Sequence, residues 1–148
     1  MSKFVNVANT DNHKGSNYDK VIKDIAEKKV CPFCPEQLKN FHKNPILSEG
    51  NFWLATDNMY PYKGAKTQIL FIHKAHITSI SEITEKAWAE LRELINKMVS
   101  ERKVPGGTFM MRFGDTRFTG ATVTHLHAQI ISSGPGEPGT EPIITRVG

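Results

Sequence analysis

Cysteine is scarce in this chain. Among 148 residues there are two, Cys31 and Cys34. In a reducing compartment so close a pair reads as a metal or redox site rather than as a structural disulfide. Long hydrophobic runs are absent, and none approaches the ~20 residues that span a bilayer. The opening stretch, MSKFVNVANTDNHKG, lacks the apolar segment of a signal peptide, so a cytoplasmic protein is expected, off the membrane. Dense Lys/Arg runs and basic helices are missing too, which leaves no positive case for a nucleic-acid partner. Internal repeats are not found. The net charge is only +4, a mild basic excess that suits a phosphate-bearing ligand without singling one out. Hydrophobic residues at 39% and charged residues at 23% are ordinary for a globular protein. The length, residues 1–148, is that of one domain with room for a real core.

Periodicity organises the rest. NYDKVIKDIAEKK (17–29) reads as a helix with Val21, Ile22 and Ile25 on one face and Asn17 as its cap. CPFCPEQL (31–38) reads as a proline-punctuated knuckle. NFWLATDN (51–58) and TQILFIHK (67–74) read as strands joined by the turn MYPYKGA. Residues 81–103 form the clearest helix, with Ser81 as N-cap and Ile83, Ala87, Leu91, Leu94, Ile95 and Met98 as the apolar stripe. Trp53 and Trp88 are expected in the core. TFMMRFG (108–114) and TVTHLHAQIIS (122–132) read as strands around the loop GDTRFTG (114–120). Residues 1–16 and 133–148 read as loop or mobile tail. The order α-β-β-α-β-β with hairpin-like connections predicts an α+β fold: an antiparallel sheet packed with one long and one shorter helix.

THLHAQII (124–131) is the stretch that asks for chemistry. Strict alternation places His125, His127 and Gln129 on one face of a strand, and Leu126, Ala128 and Ile130 on the other. One imidazole can attack phosphorus. Its neighbour can fix a metal. The Gln129 amide can donate to an anionic oxygen while staying neutral. The loop upstream brings Thr122, Arg117 and backbone amides toward the same strand, a setting that suits phosphate.

CPFC can clasp a tetrahedral metal if two further ligands exist. The candidates are His73 or His76 in HKAH, and His125, giving a chemically sensible Cys2His2 set for zinc. A thioredoxin-like redox pair is the alternative, but it wants the motif opening a long helix after a strand.

Together these motifs resemble the histidine triad (HIT) superfamily. GATVTHLHAQII is similar to its His-x-His-x-His/Gln strand after a Gly-rich loop. CPFC, NMYPYKGAKTQILFIHKAHITSISEIT and the long helix stand in the same order and spacing, over about residues 30–132. Gln129 in the third position resembles the branch that holds galactose-1-phosphate uridylyltransferase and the diadenosine polyphosphate phosphorylases. The resemblance implies a HIT-like fold and a nucleotide substrate. It implies that His127 attacks the α-phosphate to form a nucleotidyl-histidine, with Gln129 and Thr122 assisting. It implies a structural zinc held by Cys31, Cys34, His125 and His76, with His73 as fallback ligand, and it implies a homodimer. Asn58 and Tyr60 fall where relatives surround base and ribose, though Tyr60 and Tyr62 equally suit hairpin packing.

The chain departs from the pattern at Arg112, where relatives carry Asn; a guanidinium there can hold phosphate bidentately. The loop from Gly114 to Gly120 is longer than in compact members, and Thr122 replaces a common Ser. Substrate contacts are therefore expected from Asn58, Tyr60, Arg112, Arg117 and Gly120. Three functions compete. Gln129 favours a phosphorylase or nucleotidyltransferase. The single-domain size favours a hydrolase of dinucleoside polyphosphates or nucleotide phosphoramidates. A non-catalytic, zinc-stabilised nucleotide-binding module is the third.

Overall fold

The structure is a computed structural model that describes residues 2–13, 15–136 and 140–148. Five strands form one antiparallel sheet: β1 (Ile46–Glu49), β2 (Trp53–Asp57), β3 (Thr67–His73), β4 (Thr108–Arg112) and β5 (His127–Ser132). Their spatial order is β1-β2-β3-β5-β4. Three α-helices accompany them: α1 (Asn17–Lys28), α2 (Pro35–Phe41) and α3 (Glu85–Glu101). The architecture is the α+β arrangement that the alternation of patterns predicts.

Both faces of the sheet are covered. Trp53, Ala55, Ile69, Phe71, Leu126, Ala128 and Ile130 pack on Ala87, Leu91, Leu94 and Met98 of α3. Leu54, Leu70 and Ile72 on the opposite face meet Leu38 of α2 and Phe33. The alternation in THLHAQII is thus resolved: its apolar set faces α3, and its polar set faces the side where α1 and α2 lie. Glu90 ties α3 to the sheet by accepting three backbone N–H bonds, from Asn51 (2.6 Å), Phe52 (2.7 Å) and Trp53 (2.8 Å). A Cβ at Gly50 would stand 2.4 Å from the Glu90 carboxyl carbon, so a larger residue there would push that carboxylate off its three donors.

Several expectations need correction. Residues 35–41 form a helix rather than a knuckle; Pro35 occupies the first turn, where its fixed φ is pre-organised and its missing N–H costs nothing. β1 has no signal in the sequence, being a short, largely exposed edge strand. Ser16, not Asn17, caps α1 by accepting the Asp19 N–H. Thr84, not Ser81, caps α3, because Ser79 and Glu82 first close a capping box on a separate 3-10 turn, Ile80–Glu82. Trp88 is 39% exposed, since it lies one residue off the inward stripe of α3. The last strand enters the ladder only at His127; before it, Val123 bridges to Val5.

The N-terminal stretch is not loose. Val5, Asn6 and Thr10 are buried, and a 3-10 helix covers Val7–His13. Asn9 donates to the carbonyls of Thr116 (2.9 Å) and Ala121 (2.7 Å), and Asn6 to the Thr116 hydroxyl (3.1 Å). This segment pins both ends of the loop before β5. Residues 140–148 carry no regular structure, and Thr145 and Arg146 lie against Arg112. Met1, Lys14 and 137–139 belong to the two tail expectations and lie outside the described residues.

Candidate functional site

Two adjoining sites share the strand that carries the histidines. In the first, Cys31, Cys34, His76 and His125 offer one ligand atom each, all within 4.8 Å of one another. The Nδ1 atoms of His76 and His125 are 3.2 Å apart, and Cys31 Sγ is 3.3 Å from His125 Nδ1. Cys34 Sγ is 3.4 Å from His76 Nδ1 and 3.7 Å from His125 Nδ1. Tetrahedral zinc, with bonds of about 2.0–2.1 Å to nitrogen and 2.3 Å to sulfur, wants N–N and N–S separations of roughly 3.3–3.6 Å. The donor set fits such an ion with no position left for water.

Surroundings prepare this cluster. His125 is fully buried, and its Nε2–H donates to the His73 carbonyl at 2.5 Å, leaving the Nδ1 lone pair for the cluster. Burial holds His125 down at about 4, so the imidazole is neutral, its metal-binding form. Burial also raises the Cys31 thiol and pushes Cys34 up to about 12. A bound cation therefore has to displace thiol protons. His73 contributes its carbonyl rather than its ring. That ring bonds the Ala75 carbonyl at 3.0 Å and meets Trp53 edge-on at 4.9 Å.

The second site is a cavity of about 330 Å³ reached by His127 and Gln129. His127 Nδ1–H donates to the His125 carbonyl at 2.7 Å, which leaves Nε2 as the nitrogen with a free lone pair. Burial, with the Arg112 charge adding to it, holds His127 at about 4, so the ring is neutral at pH 7. Phe33 packs edge-on against it at 5.0 Å. Gln129 is oriented by its oxygen: Oε1 accepts from Gln68 at 2.6 Å and from Asn58 at 3.4 Å. The Gln129 side chain also bonds the Tyr62 hydroxyl.

Asn58, Tyr60, Arg112, Gly120 and Thr122 all line this cavity. Asn58 accepts the Tyr60 N–H at 2.8 Å, an Asx turn that aims the hairpin. Tyr60 packs at a tilt against Tyr18 of α1 with ring centres 4.9 Å apart, and Tyr18 reaches the Thr122 side chain. Gly120 turns with φ of +68°, which lets the chain pass close beneath Arg146. Arg112 faces His127 across the β4–β5 ladder and donates to the Tyr62 hydroxyl (3.3 Å), the Thr145 hydroxyl (2.8 Å) and the Arg146 carbonyl (2.5 Å). Arg117 is different. Its guanidinium is bound by Asp115, two residues away, and it stands outside the cavity.

Some cavity residues carry no sequence signal. Gln68 looks like an ordinary strand residue, but it is buried and holds both Gln129 and the Tyr62 N–H (2.7 Å). His42 lines the cavity with its Nε2–H on the Thr56 hydroxyl at 2.6 Å. Ile22 and Ile25 of α1, with Phe33 and Phe41, form an apolar wall. An excess of apolar residues on α1 is legible in sequence; that they wall a cavity is not.

No family model matches the sequence, and neither does any curated protein. Solved structures do match the fold. A histidine triad nucleotide-binding protein from Candida albicans aligns with a TM-score of 0.59 at 19% identity, over 76% of this chain and 86% of that one. A histidine triad protein from Clostridium difficile aligns with a TM-score of 0.52 at 25% identity, over 70% and 90%. A zinc-bound histidine triad family protein from Mycobacterium smegmatis aligns with a TM-score of 0.53 at 16% identity, over 70% and 75%. The chain therefore has the fold of the histidine triad proteins.

Proposed function

We propose that this protein is a histidine triad enzyme that acts at the α-phosphate of a nucleoside polyphosphate or nucleotide conjugate. One observation carries the reading: the His127 ring is fixed by the His125 carbonyl through Nδ1, with Nε2 left free on a cavity that Arg112 and Gln129 also line. His127 Nε2 attacks the α-phosphorus, forming a nitrogen–phosphorus bond as the bond to the leaving oxygen breaks. Gln129, Thr122 and loop amides near Gly120 stabilise the charge that builds on the phosphoryl oxygens. A second acceptor then takes the nucleotidyl group and restores the free imidazole.

The apolar wall of Ile22, Ile25, Phe33 and Phe41 suits a base, and Asn58 suits a ribose. Cys31, Cys34, His76 and His125 would hold zinc as a structural ion. Bound there, it supplies a cross-link that fixes the strand under the nucleophile. The structures named as HIT family hydrolases, one of them from Clostridium thermocellum, keep water as the acceptor in a second reading. Homodimerisation belongs to the same proposal, since β4 is a sheet edge with Phe109 exposed on it. So does a cytoplasmic setting, which suits free thiols at Cys31 and Cys34; among the described residues no helix is long and apolar enough to cross a membrane.

The test is product identity. Diadenosine tetraphosphate is incubated with the protein, with and without inorganic phosphate, and the nucleotides are separated. ADP with ATP appearing only with phosphate supports transfer to phosphate. AMP without phosphate supports hydrolysis. No turnover of this substrate, a nucleotide sugar or a phosphoramidate contradicts the enzymatic reading.

A further inference from the structure

Three cations, Lys63, Arg112 and Arg146, line the cavity, and among the described residues no Asp or Glu does. Arg146 comes from the C-terminal segment, which has no place in the sequence motifs. Its side-chain stem lies across Gly120, so close that a Cβ there would stand 2.9 Å from Arg146 Cγ. Arg112 grips the same segment through the Thr145 hydroxyl and the Arg146 carbonyl, both neutral acceptors. Hydrogen bonds thus fix the guanidinium without cancelling its charge, and among the described residues no Asp or Glu pairs with it. Its Nε is buried with no partner, an unmet donor of the kind that folding rarely leaves. Arg146 Nε donates to the terminal main-chain oxygen of Gly148 at 2.8 Å, which among the described residues leaves the two terminal nitrogens of its guanidinium for a ligand. Lys63 has only an exposed pairing with Glu141 at 3.6 Å, worth little in water.

We infer that Arg146, with Arg112 and Lys63, forms a subsite for a second phosphate group beyond the one His127 attacks, and that the C-terminal segment is thereby a specificity element of the cavity. The inference rests on reading the cavity as a nucleotide site. An α-phosphate alone does not need three cations, whereas a polyphosphate or a phosphate-bearing acceptor carries the extra charge they match. Two sources could supply that group: the distal phosphates of the nucleotide itself, or a separate phosphate acceptor.

Calorimetric titration of the full chain separates the possibilities. Wild type, Arg146→Met and Arg146→Lys are each titrated with AMP and with ATP. Met keeps an aliphatic stem on Gly120 and removes only the charge. Wild type should bind ATP about ten-fold or more tighter than AMP, and Arg146→Met should lose most of that ratio while Arg146→Lys recovers it. In a second arm, protein loaded with AMP is titrated with inorganic phosphate. Phosphate binding that Arg146→Met abolishes assigns the subsite to a separate acceptor. ATP preference without phosphate binding assigns it to the distal phosphates. An unchanged ATP-to-AMP ratio in Arg146→Met overturns the subsite and leaves the nucleotide reading standing. Wild type that binds neither nucleotide overturns both.

Discussion

The backbone carbonyl of His125 accepts the Nδ1–H of His127 at 2.7 Å. The residue whose ring belongs to the candidate metal cluster therefore sets the tautomer of the residue that faces the cavity. The two histidines of the motif form one device, with the cluster fixing His125 and the His125 backbone aiming His127. His127→Ala should lower turnover by about 10³-fold or more, because it removes the proposed nucleophile. Its melting temperature should stay within roughly 3 °C of wild type, since the ring is only half-buried and lies outside the main core. Steady-state kinetics and a thermal melt check both halves of that expectation.

The metal cluster makes a stoichiometric prediction. Protein purified without chelator should carry about one zinc per chain, and Cys31→Ser, Cys34→Ser and His76→Ala should each lose most of it. His73→Gln should keep the metal, because the His73 carbonyl and not its ring meets His125. Elemental analysis reads the content, and a chelator should lower the melting temperature of wild type far more than that of the Cys variants.

Glu90 offers a test of the frame. Its carboxylate satisfies three consecutive backbone donors at the entry to β2, where a hairpin bend would otherwise leave them bare. Glu90→Ala should cost about 2–3 kcal/mol in urea unfolding, the range for hydrogen bonds to a charged acceptor. A change below about 0.5 kcal/mol would mean that water replaces the carboxylate freely.

The N-terminal segment is fastened through Asp19. The buried carboxylate accepts from Lys23 (2.8 Å), the Thr10 hydroxyl (2.7 Å) and the Gly15 N–H (3.1 Å). Those bonds, Lys23 first, lower its pKa to about 2. A depressed carboxylate stabilises the fold above its unfolded pKa of about 3.9, and the contribution fades as pH falls toward 2. Asp19→Asn should therefore be less stable than wild type at pH 6, with the gap closing between about pH 4 and 2. Urea melts at pH 6 and near pH 2.5 measure it, and a gap that is constant with pH would contradict the assignment.

Much of this was legible because alternation and helical spacing report directly on which face is buried. The α3 stripe and the two faces of THLHAQII follow from residue type alone. The cluster was legible as chemistry, but the choice between His73 and His76 needed backbone direction: β3 ends at His73, which turns its ring toward Trp53. Gln68, Asn9 and Arg146 were not legible. Each acts through a hydrogen bond or close contact with a residue far along the chain, and polar residues show no periodicity that would betray it. Arg117 illustrates the converse. It stands in the right loop, but Asp115 captures its charge locally, a pairing that a loop motif does not reveal.

The central claim is a covalent bond between His127 and a nucleotide, and a trapping experiment tests it most directly. The protein is mixed with diadenosine tetraphosphate or ATP and quenched in alkali, which preserves phosphoramidates. Peptide mass spectrometry then locates any adduct. The account predicts a nucleotidyl group on the peptide that carries His127, absent in His127→Ala. Turnover with the adduct on another residue, or turnover that persists in His127→Ala, would contradict it.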